Sequence, residues 1–199
     1  MVYDCLVGKG RLEAFSDGVL AIIITIMVLE LKVPHGADLD ALRPICAEFF
    51  SYVVSFTYIA IYWNNHHHLM HVVKKVDGWV MWANMHLLFW LSLIPVLTGW
   101  AGEHPESPVP VAGYGVVLFM SGIAWLLLQR AIIHRQGDDS ELRKAIGSDL
   151  KGRISGVAYL VALPLAFITT WISISIYIAM ALVWVVPDRR IGRVVDSHE

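Results

Sequence analysis

Charged side chains are scarce in this chain: Asp, Glu, Lys and Arg make up 16% of 199 residues and nearly cancel, for a formal net charge of −2. So even a balance says little about partners, and nothing in the chain points to nucleic acid. Cysteine is limited to two residues, Cys5 and Cys46, too few for a disulfide framework. No nucleophile–base pair, phosphate-cradling loop or paired-carboxylate site is visible, so an enzyme is not expected and neither is a cofactor. Nor is there a polar stretch long enough for a soluble domain. The longest, Arg135–Lys151, reads as a short linker with a helical turn around Glu141–Ile146. No repeat of short fixed period appears, and the chain is too small for the inverted repeats of most secondary transporters. A cleavable signal peptide is not expected either, because the first apolar run lies behind Asp4, Lys9 and Arg11 and lacks a small-residue cleavage site.

What is abundant is apolar length. Hydrophobic residues make up 57% of the chain, with eight tryptophans, and the mean hydropathy is +0.60. A helix needs roughly 20 residues to cross a hydrocarbon core of about 30 Å. Six segments qualify or nearly so: Arg11–Val33, Leu42–Val72, Trp79–Gly102, Val109–His134, Arg153–Ile168 and Trp171–Val186. The second is over-long, so its polar end from Asn64 onward is expected to face water. The last two form one apolar run broken near Thr169-Thr170, read as a helical hairpin; a single bent span around Pro164 is the alternative. Several tryptophans fall near span ends, where indole rings anchor at the interface. The expectation is an all-α membrane bundle, a single domain over residues 1–199.

Lysine and arginine orient it, since positive charge is retained on the cytoplasmic side. With six spans, Lys9, Arg11, Lys74, Lys75, Arg130, Arg135, Arg143, Lys144, Lys151, Arg153, Arg189, Arg190 and Arg193 share one side, leaving only Lys32 and Arg43 on the other. Both termini are therefore expected in the cytoplasm of a multi-pass cell-membrane protein. Five spans would strand the Arg189-Arg190-Arg193 cluster outside. Cys5 and Cys46 fall on opposite sides, which makes both free thiols.

The first span carries the most information, because it takes an aspartate, a glycine and a threonine into an apolar run. Ionisable groups inside a bilayer are costly and mark a pathway or a buried structural pair. At about 100° per residue, Arg11, Phe15, Gly18, Ile22, Thr25, Ile26 and Leu29 form one stripe. Glu13, Asp17, Leu20, Ile24 and Leu31 lie roughly opposite, with Ser16 on the flank. The stripe can be ordinary helix packing, with Thr25 bonded to its own backbone one turn back. Alternatively, copies from several subunits converge on an axis. Ile22 and Leu29 then form apolar rings that gate by dewetting, and the Thr25 hydroxyls meet a permeating cation. Asp17 points away from that stripe and reads as an anchor rather than an ion ligand. Its candidate partners are His66, His67, His68 and His71 on the second span and Asn84 and His86 on the third, in a network of Ser16 and Asp17 with His, Asn and Trp side chains.

The string Arg11-x-x-x-Phe15-Ser16-Asp17-Gly18-Val19-x-Ala21-Ile22-x-x-Thr25 closely resembles the first-helix signature of the bacterial branch of the transmembrane protein 175 family, whose animal members are lysosomal potassium channels. The resemblance extends to Ser55-Phe56 and Trp63-x-x-His66-His67 in the second span. In the third it covers Asn84-x-x-x-Leu88-Phe89-x-x-x-Leu93-Ile94-Pro95, and the six-span size matches as well. It implies a homotetramer with first helices lining a central pore, no re-entrant filter, and passage of potassium in preference to other monovalent cations. Carried over by position, Ile22 is the constriction, Thr25 contributes selectivity and Leu29 is the next ring outward.

Two other motifs compete for attention. Val111-Ala112-Gly113-Tyr114-Gly115 looks like half of a potassium-channel filter, but such a loop needs a supporting pore helix, and prolines 105, 108 and 110 occupy the stretch before it. It reads as the start of the fourth span, where small residues suit close packing. The His66-His67-His68-x-x-His71 cluster could hold a transition metal or, with His86, a haem, in a membrane redox protein. It could equally sense pH or simply form hydrogen bonds; the structural reading is preferred and no metal is assigned. A small proton-coupled transporter using Asp17 is the remaining alternative.

Overall fold

A computed structural model describes residues 8–73, 76–137 and 149–186. Cys5, the Glu141–Ile146 turn and the basic residues Lys74, Lys75, Arg143, Lys144, Arg189, Arg190 and Arg193 lie outside the described residues. Within them the protein is all-helical, without a strand.

Helix α1 (Lys9–Leu29) is followed by a 3-10 segment (Leu39–Ile45) that leads into α2 (Cys46–Val72). Asp38 starts the 3-10 segment by accepting from the Ala41 N–H at 3.1 Å, satisfying one of the donors a helix start leaves free. Asp77 does the same for α3 (Gly78–Ser92), its Oδ1 accepting from the Val80 N–H at 2.9 Å. Then come α4 (Ile94–Glu103), α5 (Pro108–Gln136), α6 (Leu150–Leu165) and α7 (Thr170–Val185). Gly137 ends α5 at φ +92°, a left-handed conformation that glycine adopts without strain.

Several boundaries shift by a few residues from the sequence reading, and two of the shifts have a clear physical cause. The first helix stops at Leu29 rather than Val33, where Glu30 and Lys32 enter the chain. Lys32 lies 2.6 Å from Glu103 and 3.5 Å from Glu48, and this pulls the chain out of helix toward the ends of α2 and α4. The third segment, expected unbroken, is interrupted at Leu93 because Pro95 stands in the first turn of α4. Proline has no N–H to give to the Leu91 carbonyl. The two pieces still follow one another as a 26-residue apolar unit, Gly78–Glu103.

That unit, α1 and α5 are each long and apolar enough to cross a membrane; α7 is apolar but shorter. Helices α6 and α7 are separate and pack on each other as a hairpin around Ala166–Thr169. Ser173 fastens the pair by donating to the Ala162 carbonyl at 2.7 Å. Helix α5 is the hub, contacting α3, α4, α6 and α7, while α1 lies on α2, α3 and α4. Leu20, Ile59, Leu69, Leu87, Leu118 and Leu128 are fully buried between them.

Several polar groups inside this core are paired across helices. Ser55 Oγ lies 2.8 Å from the Tyr114 hydroxyl and 2.6 Å from Thr98 Oγ1, joining α2, α4 and α5. Tyr58 donates to the Tyr177 carbonyl at 2.6 Å. Hydroxyls of this kind act as interhelical glue where no water competes. The Val111–Gly115 stretch lies inside α5 as helix, with Gly115 pressed against the Tyr177 ring: a Cβ there would stand 2.8 Å from Tyr177 Cζ.

The two ends of the bundle differ in charge. Lys9, Arg135, Lys151 and Arg153 lie at the end where α1 begins and α2 and α5 finish. Lys32, with Glu48 and Glu103, marks the other.

Candidate functional site

Leu12, Ser16, Leu20, Ile23 and Met27 form the buried face of α1. Ser16 therefore sits at the centre of the packed face, not on its flank. The opposite stripe is uncovered within the subunit: Ile22 is 58% and Leu29 81% exposed, and Arg11, Phe15, Gly18 and Thr25 are exposed with them. The Thr25 hydroxyl donates to the Ile22 carbonyl at 2.8 Å, which leaves its oxygen lone pairs directed away from the backbone bond.

Behind this stripe runs a buried polar chain. Asn84 Nδ2 donates to Ser16 Oγ at 2.9 Å, and Ser16 in turn donates to the Leu12 carbonyl at 2.9 Å. Asn84 Oδ1 lies 2.9 Å from His66 Nε2. An amide oxygen only accepts, so Nε2 carries the proton. His66 Nδ1 is then the bare nitrogen, buried without a hydrogen-bond partner among the described residues. Ser16, His66 and Asn84 are thus brought together across α1, α2 and α3.

A second set of contacts runs along the α1–α2 seam. Lys9 Nζ donates to the His71 carbonyl at 3.3 Å, Glu13 Oε1 lies 3.8 Å from His67 Nδ1, and Trp63 Nε1 donates to Asp17 Oδ1 at 3.0 Å. Each rung is one turn further along both helices, in opposite directions, so the three contacts form an antiparallel ladder. Asp17 is held by Trp63 rather than by any histidine. Glu13 was not among the sequence candidates. The available signal was spacing: Glu13 and Asp17 are four apart on α1, as Trp63 and His67 are on α2.

The other sequence candidates lie elsewhere. Arg11 and Phe15 are on the exposed stripe, outside this network. His86 accepts from Trp90 Nε1 at 3.0 Å within α3. The Nε2 atoms of His66 and His86 are both engaged within the protein.

Apolar helices of membrane-crossing length, packed through buried hydroxyl and amide contacts, define an integral membrane protein. Comparison with known proteins narrows the class. Residues 11–95 match the family described as the endosomal/lysosomal potassium channel TMEM175. A potassium channel of Chryseobacterium sp. (strain P1-3) is 54% identical over 185 residues, covering 93% of this chain and 96% of that one. A potassium channel of Chamaesiphon minutus is 30% identical over 188 residues, covering 87% and 91% of the two chains. Among solved structures, that of a lysosomal potassium-selective channel TMEM175 homologue from Chamaesiphon minutus superposes with a TM-score of 0.74 at 31% identity, over 90% of this chain and 97% of that one. The chain belongs to the TMEM175 family. Its relatives are ion channels, and it is not an enzyme.

Proposed function

We propose that this chain forms a cell-membrane channel for monovalent cations, potassium preferred, built as a homotetramer of six-span subunits with both termini in the cytoplasm. Residues 1–199 make one channel domain, and α1 lines the central pore. One observation carries this reading: α1 packs its Leu12–Met27 face and leaves the stripe of Arg11, Phe15, Gly18, Ile22, Thr25 and Leu29 uncovered. A helix that merely faced lipid has no use for an arginine, a glycine and a threonine on that side.

Conduction is passive, down the electrochemical gradient. Rings of Ile22 and Leu29 exclude water and ions when narrow, because an apolar constriction dewets. When they widen, Thr25 oxygens replace part of the hydration shell of the ion. Such a site offers fewer fixed ligands than stacked carbonyl rings, so discrimination is modest. The polar chain through Ser16, Asn84 and His66 and the ladder through Asp17 hold α1 in the required rotation. Asp17 faces Trp63 on α2, which favours an anchor over a proton carrier.

Purified protein in liposomes, with potassium, sodium and proton fluxes measured side by side, tests the proposal. Potassium uptake that exceeds sodium uptake and needs no proton gradient is the expected result. Flux that follows only a proton gradient, or none above empty liposomes, contradicts it.

A further inference from the structure

The ladder also gathers a cluster of ligand atoms whose chemistry the channel reading leaves unused. Glu13 of α1 and His67 and His71 of α2 each offer one ligand atom, and the three atoms lie within 4.8 Å of one another. His67 and His71 are one helical turn apart, with ring centroids separated by 4.4 Å. Histidines at this spacing on one helix, joined by a carboxylate from another, make the donor set of a zinc-type site with an open position for water.

We propose that Glu13, His67 and His71 bind a divalent transition-metal ion of the zinc class. His71 is already oriented for it. Its Nδ1 lies 3.0 Å from the His67 carbonyl; a carbonyl only accepts, so Nδ1 carries the proton and the Nε2 lone pair is free to ligate. A ring nitrogen bonded to a backbone carbonyl is the usual support of a metal-binding histidine. The Trp63 ring lies against His67 at 5.9 Å and 19°, limiting that imidazole's swing. Tetrahedral zinc places its ligand atoms roughly 3.3 Å apart. The three atoms must close somewhat to reach that distance, and with His71 exposed and Glu13 and His67 half-buried their side chains have room to turn. The Lys9 ammonium beside the His71 carbonyl opposes the ion's charge and sets a limit on affinity.

The site joins α1 to α2, so a bound ion clamps the start of α1. This second clause rests on α1 lining the pore: the clamp then alters conduction. Binding is read without any flux and stands or falls apart from the channel itself.

The test is titration of purified full-length protein with Zn2+ alone, followed by calorimetry or equilibrium dialysis. The expected result is saturable binding of one ion per chain, weakened roughly tenfold or more by Glu13→Gln and by His71→Ala. His68→Ala, which removes an imidazole outside the trio, leaves it unchanged. No saturable binding, or binding that survives either Glu13→Gln or His71→Ala, overturns the site, as does equal weakening by His68→Ala. In liposomes, Zn2+ should change potassium flux through wild type and not through His71→Ala. Flux that ignores bound zinc overturns the clamp.

Discussion

At the scale of single residues, positions 22 and 25 face opposite demands. In the proposed pore, Ile22 would keep water out of a narrow axis, and Thr25, one turn further on, would offer oxygen to a cation stripped of part of its water. Replacing Ile22 with Asn puts a polar ring at the constriction and lowers the dewetting barrier. Potassium leak from liposomes should rise about tenfold, equivalent to roughly 1.4 kcal/mol of barrier; the same or lower flux counts against a gate there. Thr25→Ala removes the hydroxyl, and the reversal potential between potassium and sodium solutions should move toward zero. Asn84 matters differently, because it joins Ser16 to His66 with both partners fully buried. Asn84→Ala strands those groups, which costs on the order of 1–3 kcal/mol. A lower thermal midpoint in detergent is the expected readout, and an unchanged midpoint removes the network's structural role.

At the scale of elements, the apolar helices were legible because length and hydropathy report directly on a bilayer, and three of them are long and apolar enough to cross one. The wheel of α1 was legible for the same reason: helical period fixes which residues share a face, and Ile22, Thr25 and Leu29 do share an exposed one. The break at Leu93 had a signal in Pro95 that apolar length masked, since hydropathy averages across a kink. Trp63 as the partner of Asp17, and Glu13 beside His67, depend on the register of two helices against each other, which composition does not encode. Close packing was equally hidden. Gly115 meets the Tyr177 ring, whose hydroxyl reaches the Val111 carbonyl at 3.3 Å. Gly115→Val forces α7 away from α5, and overpacking of this kind costs about 1–3 kcal/mol. The thermal midpoint should fall while Gly122→Val, where nothing stands within 4 Å of a new Cβ, leaves it nearly unchanged.

At the scale of the whole molecule, the proposed tetramer is what would cover the exposed stripe of α1. Native mass spectrometry of detergent-extracted protein should give four chains per particle; a stable monomer would leave the pore without walls. The end of the bundle opposite the basic residues is tied by Lys32 between Glu48 and Glu103. Glu103 raises the Lys32 pKa above its ordinary value of 10.5, mainly through their hydrogen bond. A raised ammonium contributes fully below the unfolded-state pKa and is lost only as pH climbs through the folded one. This tie is therefore indifferent to pH between 6 and 8, and being exposed it contributes little.

The α6–α7 hairpin gives the molecule an uneven waist. Its two helices have 16 residues each, so each is about 24 Å long, against a hydrocarbon thickness of about 30 Å. Val157, Leu160, Val161, Leu182 and Val183 face outward along it. As spans of the proposed channel, helices this short would require the bilayer beside them to thin, at a fraction of a kcal/mol per Å of mismatch. With the hairpin inserted as the proposed channel has it, short acyl chains are expected to be enriched beside this flank, which lipid-bound native mass spectrometry would read.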